Sequence, residues 1–87
     1  MRQNPQYILR QIAGEGVLIS LESSEGFNGL IGLNGLGLEI YQRVEQYETE
    51  EALIQSLCED FDAPAEEITA DARAFLAQLR EERLILD

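Results

Sequence analysis

Two short apolar, β-branched runs open the chain, residues 7–13 and 17–22, and Gly14, Glu15 and Gly16 separate them. That pattern predicts a β-hairpin. A polar stretch, residues 23–26, leads into Phe27, Asn28 and Gly29, and then Leu30, Ile31 and Leu33 predict a third strand within residues 27–34. Gly29 and Gly32 inside that strand cost packing and entropy, so they mark an edge, a bulge or a place where another backbone comes close.

From Asn34, expected to act as an N-cap, the apolar period changes from two to about 3.6. Leu36, Ile40, Tyr41, Val44 and Tyr47 fall on one stripe of a first helix. Thr49 is placed to cap a second helix, whose first turn holds Glu50 and Glu51, where the helix dipole favours anions. Leu53, Ile54, Leu57, Cys58 and Phe61 form its apolar face. Residues 62–64 break it, and Pro64 suits the first position of a third helix because its missing N–H is not needed there. Ile68, Ala72, Phe75, Leu76 and Leu79 give this longest helix an apolar face over about three turns. The apolar tail Leu84, Ile85 and Leu86 is expected to continue the helix or to pack back on the sheet.

Three strands followed by three helices predict an α+β fold in which the helices cover one face of a three-stranded antiparallel sheet. A helix cluster beside a short sheet is also the make-up of a winged helix. A chain of 87 residues is expected to form one domain over residues 1–87. Its apolar content suffices for one core but not for a buried cofactor cavity as well, so any ligand site should be a surface groove.

Charge narrows the partners. The net charge is −11, with 17 acids against six Arg and no Lys. Residues 1–34 carry two Arg and three Glu, a balance of −1, whereas residues 35–87 carry −10. Nucleic acid and anionic membranes are bound chiefly through Lys and Arg, so neither is expected as a partner. A winged-helix regulator would cluster bases on its recognition helix. Residues 50–61 carry four acids and no base. The single cysteine cannot form an internal disulfide, which suits a reducing compartment, and the cytoplasm is the expected location. No run reaches the length of a membrane span, and the first residues lack the apolar stretch of a signal peptide.

Catalytic equipment is sparse. Histidine, the usual acid–base group near neutral pH and the commonest metal ligand, does not occur. Cys58 sits at an apolar helical position with no imidazole to activate it, and the Ser and Thr hydroxyls likewise lack a base. The acidic pairs read as solvated helix ends, and none has the ligand spacing and central Gly of a calcium loop. The glycines between positions 29 and 37 lack the Lys-Ser/Thr of a phosphate loop. No enzyme activity, metal or cofactor is therefore expected.

What remains is a binding surface. If the third strand and third helix flank a shallow apolar channel, an extended peptide can pair with the strand edge and set alternate side chains against the helix, which is β-augmentation. An acidic rim would then suit a ligand with apolar anchors and some Lys or Arg. An open edge also pairs with a second copy of itself, so a homodimer is a further expectation.

The order of these pieces resembles the PqqD-like proteins, also called peptide recognition elements of the pathways that make ribosomally synthesised, post-translationally modified peptides. The likeness is carried by residues 4–10 (NPQYILR), by Gly29, Leu30, Ile31, Gly32, Leu33 and Asn34 followed by residues 37–41 (GLEIY), by residues 49–54 (TEEALI) and by residues 70–79 (ADARAFLAQL). Ala72 departs from the pattern, standing where a larger aliphatic residue is common. The resemblance implies a winged-helix-like domain that binds the leader of a precursor peptide between the third strand and third helix. It also implies presentation to a modifying enzyme, often a radical-SAM maturase. By that carry-over, Gly29, Leu30, Ile31, Gly32 and Leu33 supply backbone pairing, and Asp71, Ala72, Phe75 and Leu79 supply the helical wall. A docking subunit that holds no peptide is the competing expectation.

Overall fold

A computed structural model describes residues 1–21, 30–33 and 35–87, with Leu30 described by its main chain. In chain order the elements are β1 (Arg2–Gln3), β2 (Tyr7–Ile12), β3 (Glu15–Ser20), β4 (Leu30–Leu33), α1 (Gly35–Arg43), α2 (Glu50–Asp60), α3 (Ala65–Glu81) and β5 (Ile85–Leu86). The α+β expectation holds: β2, β3 and β4 form an antiparallel sheet in that order, and three helices follow.

The hairpin turns one residue earlier than the glycine spacing predicts. Ile12 pairs with Glu15, leaving a two-residue loop of Ala13 and Gly14 with φ of 53° and 83°. Positive φ at both central positions is the type I′ geometry that matches strand twist. Glu15 and Gly16 therefore belong to the strand rather than to the turn. The third predicted strand is present as β4, while residues 27–29 and the expected cap Asn34 lie outside the described residues.

Register sorts the side chains. Leu18 stands opposite Leu9 and Ile31, and Gly16 opposite Leu33, so these share the face turned to the helices. Gly16 is buried and carries no Cβ because Leu38 of α1 lies over it: a methyl there would come within 2.6 Å of Leu38 Cδ1. This close approach seats α1 on β3. The opposite face carries Ile8, Arg10, Ile12, Val17 and Ile19, of which Ile12 is 67% exposed.

Thr49 caps α2 as predicted, its Oγ1 accepting from the Ala52 N–H at 3.1 Å. Pro64 is the N-cap of α3, not its first helical residue. Leu53, Leu57, Ile68, Leu76 and Leu79 close the core with Tyr41 and Val44 of the α1 segment. Two side-chain networks fix the helices to one another. Arg43 reaches Glu39 Oε1 at 2.9 Å, Ser56 Oγ at 3.0 Å and Asp60 Oδ2 at 2.7 Å, tying α1 to α2. Glu50 accepts from Arg73 at 2.6 Å and Arg80 at 3.0 Å, tying α2 to α3. Burial works against the Arg43 charge, but the hydrogen bonds it donates to Asp60 and Glu39 outweigh that and raise its pKa.

The apolar tail neither continues α3 nor joins the three-stranded sheet. Ile85–Leu86 pairs antiparallel with Arg2–Gln3, which makes a second, two-stranded ribbon from the two ends of the chain. Asn4 fastens it: its N–H donates to Leu84 O at 3.0 Å and its Nδ2 to Arg83 O at 2.6 Å. Among the described residues, no helix is long and apolar enough to cross a membrane.

Candidate functional site: an open strand edge beside a helical wall

β4 is the last strand of its sheet and pairs only with β3 among the described residues. Its other edge therefore presents main-chain N–H and C=O groups with no strand beside them. The C-terminal tail, the segment best placed to seal such an edge, is committed to β1 instead.

Alternation along β4 puts Ile31 and Leu33 on the helix side, where Ile31 is half-buried and Leu33 is buried. Gly32 faces the other way, and a β-carbon built on it meets nothing within 4 Å. The middle of β4 thus carries no side chain on the face away from the helices. Gly29 lies outside the described residues.

α1 seats on β3, and α3 packs chiefly against α2, α1 and β5. α3 offers two unlike flanks around its buried stripe. One carries Arg73 and Arg80, both engaged by Glu50 of α2. The other, by helical spacing, carries Glu67, Asp71 and Gln78, with the cap residue Glu82 following on the same side. Phe75 stands between the buried stripe and that acidic flank, half-buried, with its ring against Gly37 of α1. Part of its ring is accessible and part is held.

The remaining helical candidates divide. Asp71 is exposed on the acidic flank. Ala72 and Leu79, at 0% and 1% exposure, are core residues that support the wall from behind and offer a guest no surface. A stripe at helical spacing does not distinguish these cases, since core and groove both require apolar side chains. Gly37 was not singled out as a wall residue in the sequence, although Leu36, Gly37 and Leu38 run together as a small position between two large ones, the kind of gap a ring from another helix fills.

Tyr41 of α1 is buried in the core. That burial, followed by the nearby Glu45 and Tyr7, raises its phenol pKa above the usual 10.0. Among the described residues, no group of three or more His, Cys, Asp or Glu is arranged to hold a metal ion.

Comparison with known proteins fits this architecture. No curated protein matches the chain. A solved structure, that of TbiB1 in complex with the TbiA(beta) leader peptide, is similar to it at 22% identity with a TM-score of 0.76, covering 100% of both chains. The sequence profile described as coenzyme PQQ synthesis protein D (PqqD) matches residues 15–85. That span runs from the first residue of β3 through the edge strand, the three helices and the start of the terminal ribbon, and with it the chain belongs to the PqqD family.

Proposed function

We propose that this protein is a non-catalytic adaptor that holds the leader of a ribosomally made precursor peptide and presents it to the enzyme that modifies it. The observation that carries the reading is the edge of β4, which has a strand on one side only among the described residues. A guest backbone extends the sheet there, pairing along Leu30 to Leu33. Alternate guest side chains descend toward Ile31 and Phe75, with Leu33, Ala72 and Leu79 behind them. This is strand addition, in which main-chain hydrogen bonds give affinity and side-chain pockets give selectivity. The leader peptide bound to the structurally similar TbiB1 supports the reading.

Asp71, with Glu67 and Glu82 on the same flank, favours guests with Lys or Arg beside their apolar anchors. The enzyme class that fits the family resemblance is a radical-SAM maturase. Without a guest, the same edge accepts β4 of a second copy, so self-association and guest binding compete for one set of hydrogen bonds.

The test begins with a displayed library of extended peptides selected on the protein. Amide exchange is then followed by NMR with and without the selected guest. Expected is new protection at alternate amides of residues 30–33, with shifts at Phe75 and Asp71. Protection confined to other elements overturns the proposal.

A further inference from the structure

β4 is one border of the three-stranded sheet, and β2 is the other. Among the described residues β2 pairs only with β3, so its outer edge also carries main-chain groups with no strand beside them. Two hydrogen bonds fix which residues supply those groups. Leu21 N–H donates to Gln6 O at 2.7 Å, so Gln6 turns its main chain toward β3. Alternation then turns Ile8, Arg10 and Ile12 the same way, and Tyr7, Leu9 and Gln11 outward. The Tyr7 N–H is taken by Asn4 O at 3.1 Å. What remains on the border is the carbonyl of Tyr7 and both main-chain groups of Leu9 and Gln11.

This border is complementary to itself. In an antiparallel ladder two facing residues either exchange hydrogen bonds or both point away. A second β2 can therefore face this one only with outward residues opposite outward residues, and the two longest overlaps are centred on Leu9 and on Arg10. The Arg10 centre sets two Arg10 side chains directly opposite one another, and opposed like charges destabilise a strand pair. The Leu9 centre sets Ile8 against Arg10 and Tyr7 against Gln11 of the second copy, with no like charges opposed.

Charge leaves the same border open to a copy of an acidic chain. Residues 7–21 hold one Arg and one Glu, a balance of zero, whereas pairing through residues 35–87 would bring two balances of −10 together. The hairpin also carries the exposed large hydrophobics of the described residues, Ile12 at 67% and Leu21 at 54%. With Ile8, Val17 and Ile19 they make an aliphatic face that pairing at β2 continues from one protomer to the next.

We infer that two copies of this chain pair antiparallel through β2, about a twofold axis at Leu9, in one six-stranded sheet. Each Leu9 exchanges main-chain hydrogen bonds with its counterpart, and each Gln11 N–H donates to Tyr7 O of the second copy. Both β4 edges then lie at the outer borders of the sheet, which a pairing through β4 would consume. The dimer does not depend on the adaptor reading.

Sedimentation velocity over a concentration series, at low and high salt, measures the association. Expected is a monomer–dimer equilibrium that tightens with salt, because salt screens the repulsion between two acidic chains. In a mixture of isotope-labelled and unlabelled protein, a filtered NOE should join Hα of Ile8 to Hα of Arg10, which form the close pair between the ladder bonds. Gln11→Pro removes an outward N–H that β3 does not use, so Tm should hold while association weakens about tenfold. A monomer at every concentration, a dimer indifferent to Gln11→Pro, or amide protection at residues 30–33 in place of Leu9 and Gln11 overturns the pairing. The NOE is read on the unaltered protein, so its absence from a dimer overturns the register even where Gln11→Pro fails to fold.

Discussion

The ring of Phe75 occupies the place that a side chain on Gly37 would need: a β-carbon built there stands 3.0 Å from Phe75 Cζ and 3.4 Å from both Cε atoms. Two helices are thereby indexed to each other by an absent methyl group. Gly37→Ala gains about 1 kcal/mol of helix propensity and displaces the ring, so global stability should change by less than about 1 kcal/mol. Guest affinity should nevertheless fall roughly tenfold, about 1.4 kcal/mol, because the aromatic anchor has moved. Urea unfolding and peptide titration on one sample separate the two effects.

Gly16 plays the same part between sheet and helix. An alanine methyl would lie 2.6 Å from Leu38 Cδ1 and 3.1 Å from Leu33 O. Overpacking of this kind costs about 1–3 kcal/mol, and Gly16→Ala should lower the urea midpoint accordingly. Combined with Leu38→Ala, the loss should be smaller than the sum of the single losses, since the shortened side chain makes room for the methyl.

Arg43 joins α1 to α2 through Ser56 and Asp60, is also held by Glu39 of its own helix, and is largely shielded, its side chain 15% exposed. Arg43→Met keeps much of the aliphatic stem and removes the bonds. Expected is a loss of about 1–2 kcal/mol in chemical denaturation. Asp60→Asn should cost less, because that carboxylate is 56% exposed and water replaces its contact.

Tyr41 predicts an alkaline limit to stability. Burial favours the neutral phenol, so the folded pKa is raised above the unfolded value of 10.0. The folded state then binds the phenol proton more tightly than the unfolded state does. This contribution is complete below the unfolded pKa and is lost as pH rises through the folded one. Unfolding midpoints measured from pH 9 to 11 should decline, and Tyr41→Phe should decline less steeply over that window.

How legible the fold was varies with the physics of each element. α2 announced itself because a capping Thr49 followed by Glu50 and Glu51 satisfies end groups and dipole locally. The β2–β3 hairpin was visible in its apolar runs, but its turn was misplaced by one residue because Ala13, not a glycine, takes one of the left-handed positions. The ribbon of β1 and β5 could not be read at all. Strands of two residues have no period, and Arg2 meets Leu86 across nearly the whole chain.

The site was legible in part for a related reason. Leu30, Ile31 and Leu33 predicted the strand, its glycines left an edge, a bulge or a close backbone approach open, and β4 stands last in its sheet. Whether a helical apolar residue faces a groove or the core depends on what packs against it, which is why Phe75 is half-buried while Ala72 and Leu79 are enclosed.

The ribbon carries a consequence for how this domain can be used. With Arg2 beside Leu86, the polypeptide enters and leaves the fold at one point. A unit with that geometry can be spliced into a surface loop of a larger host, or appended to either terminus, without pulling its helices apart. A graft of residues 2–86 into a carrier loop should keep its own cooperative melting transition, whereas cutting the ribbon by removing residues 1–4 should not leave it intact.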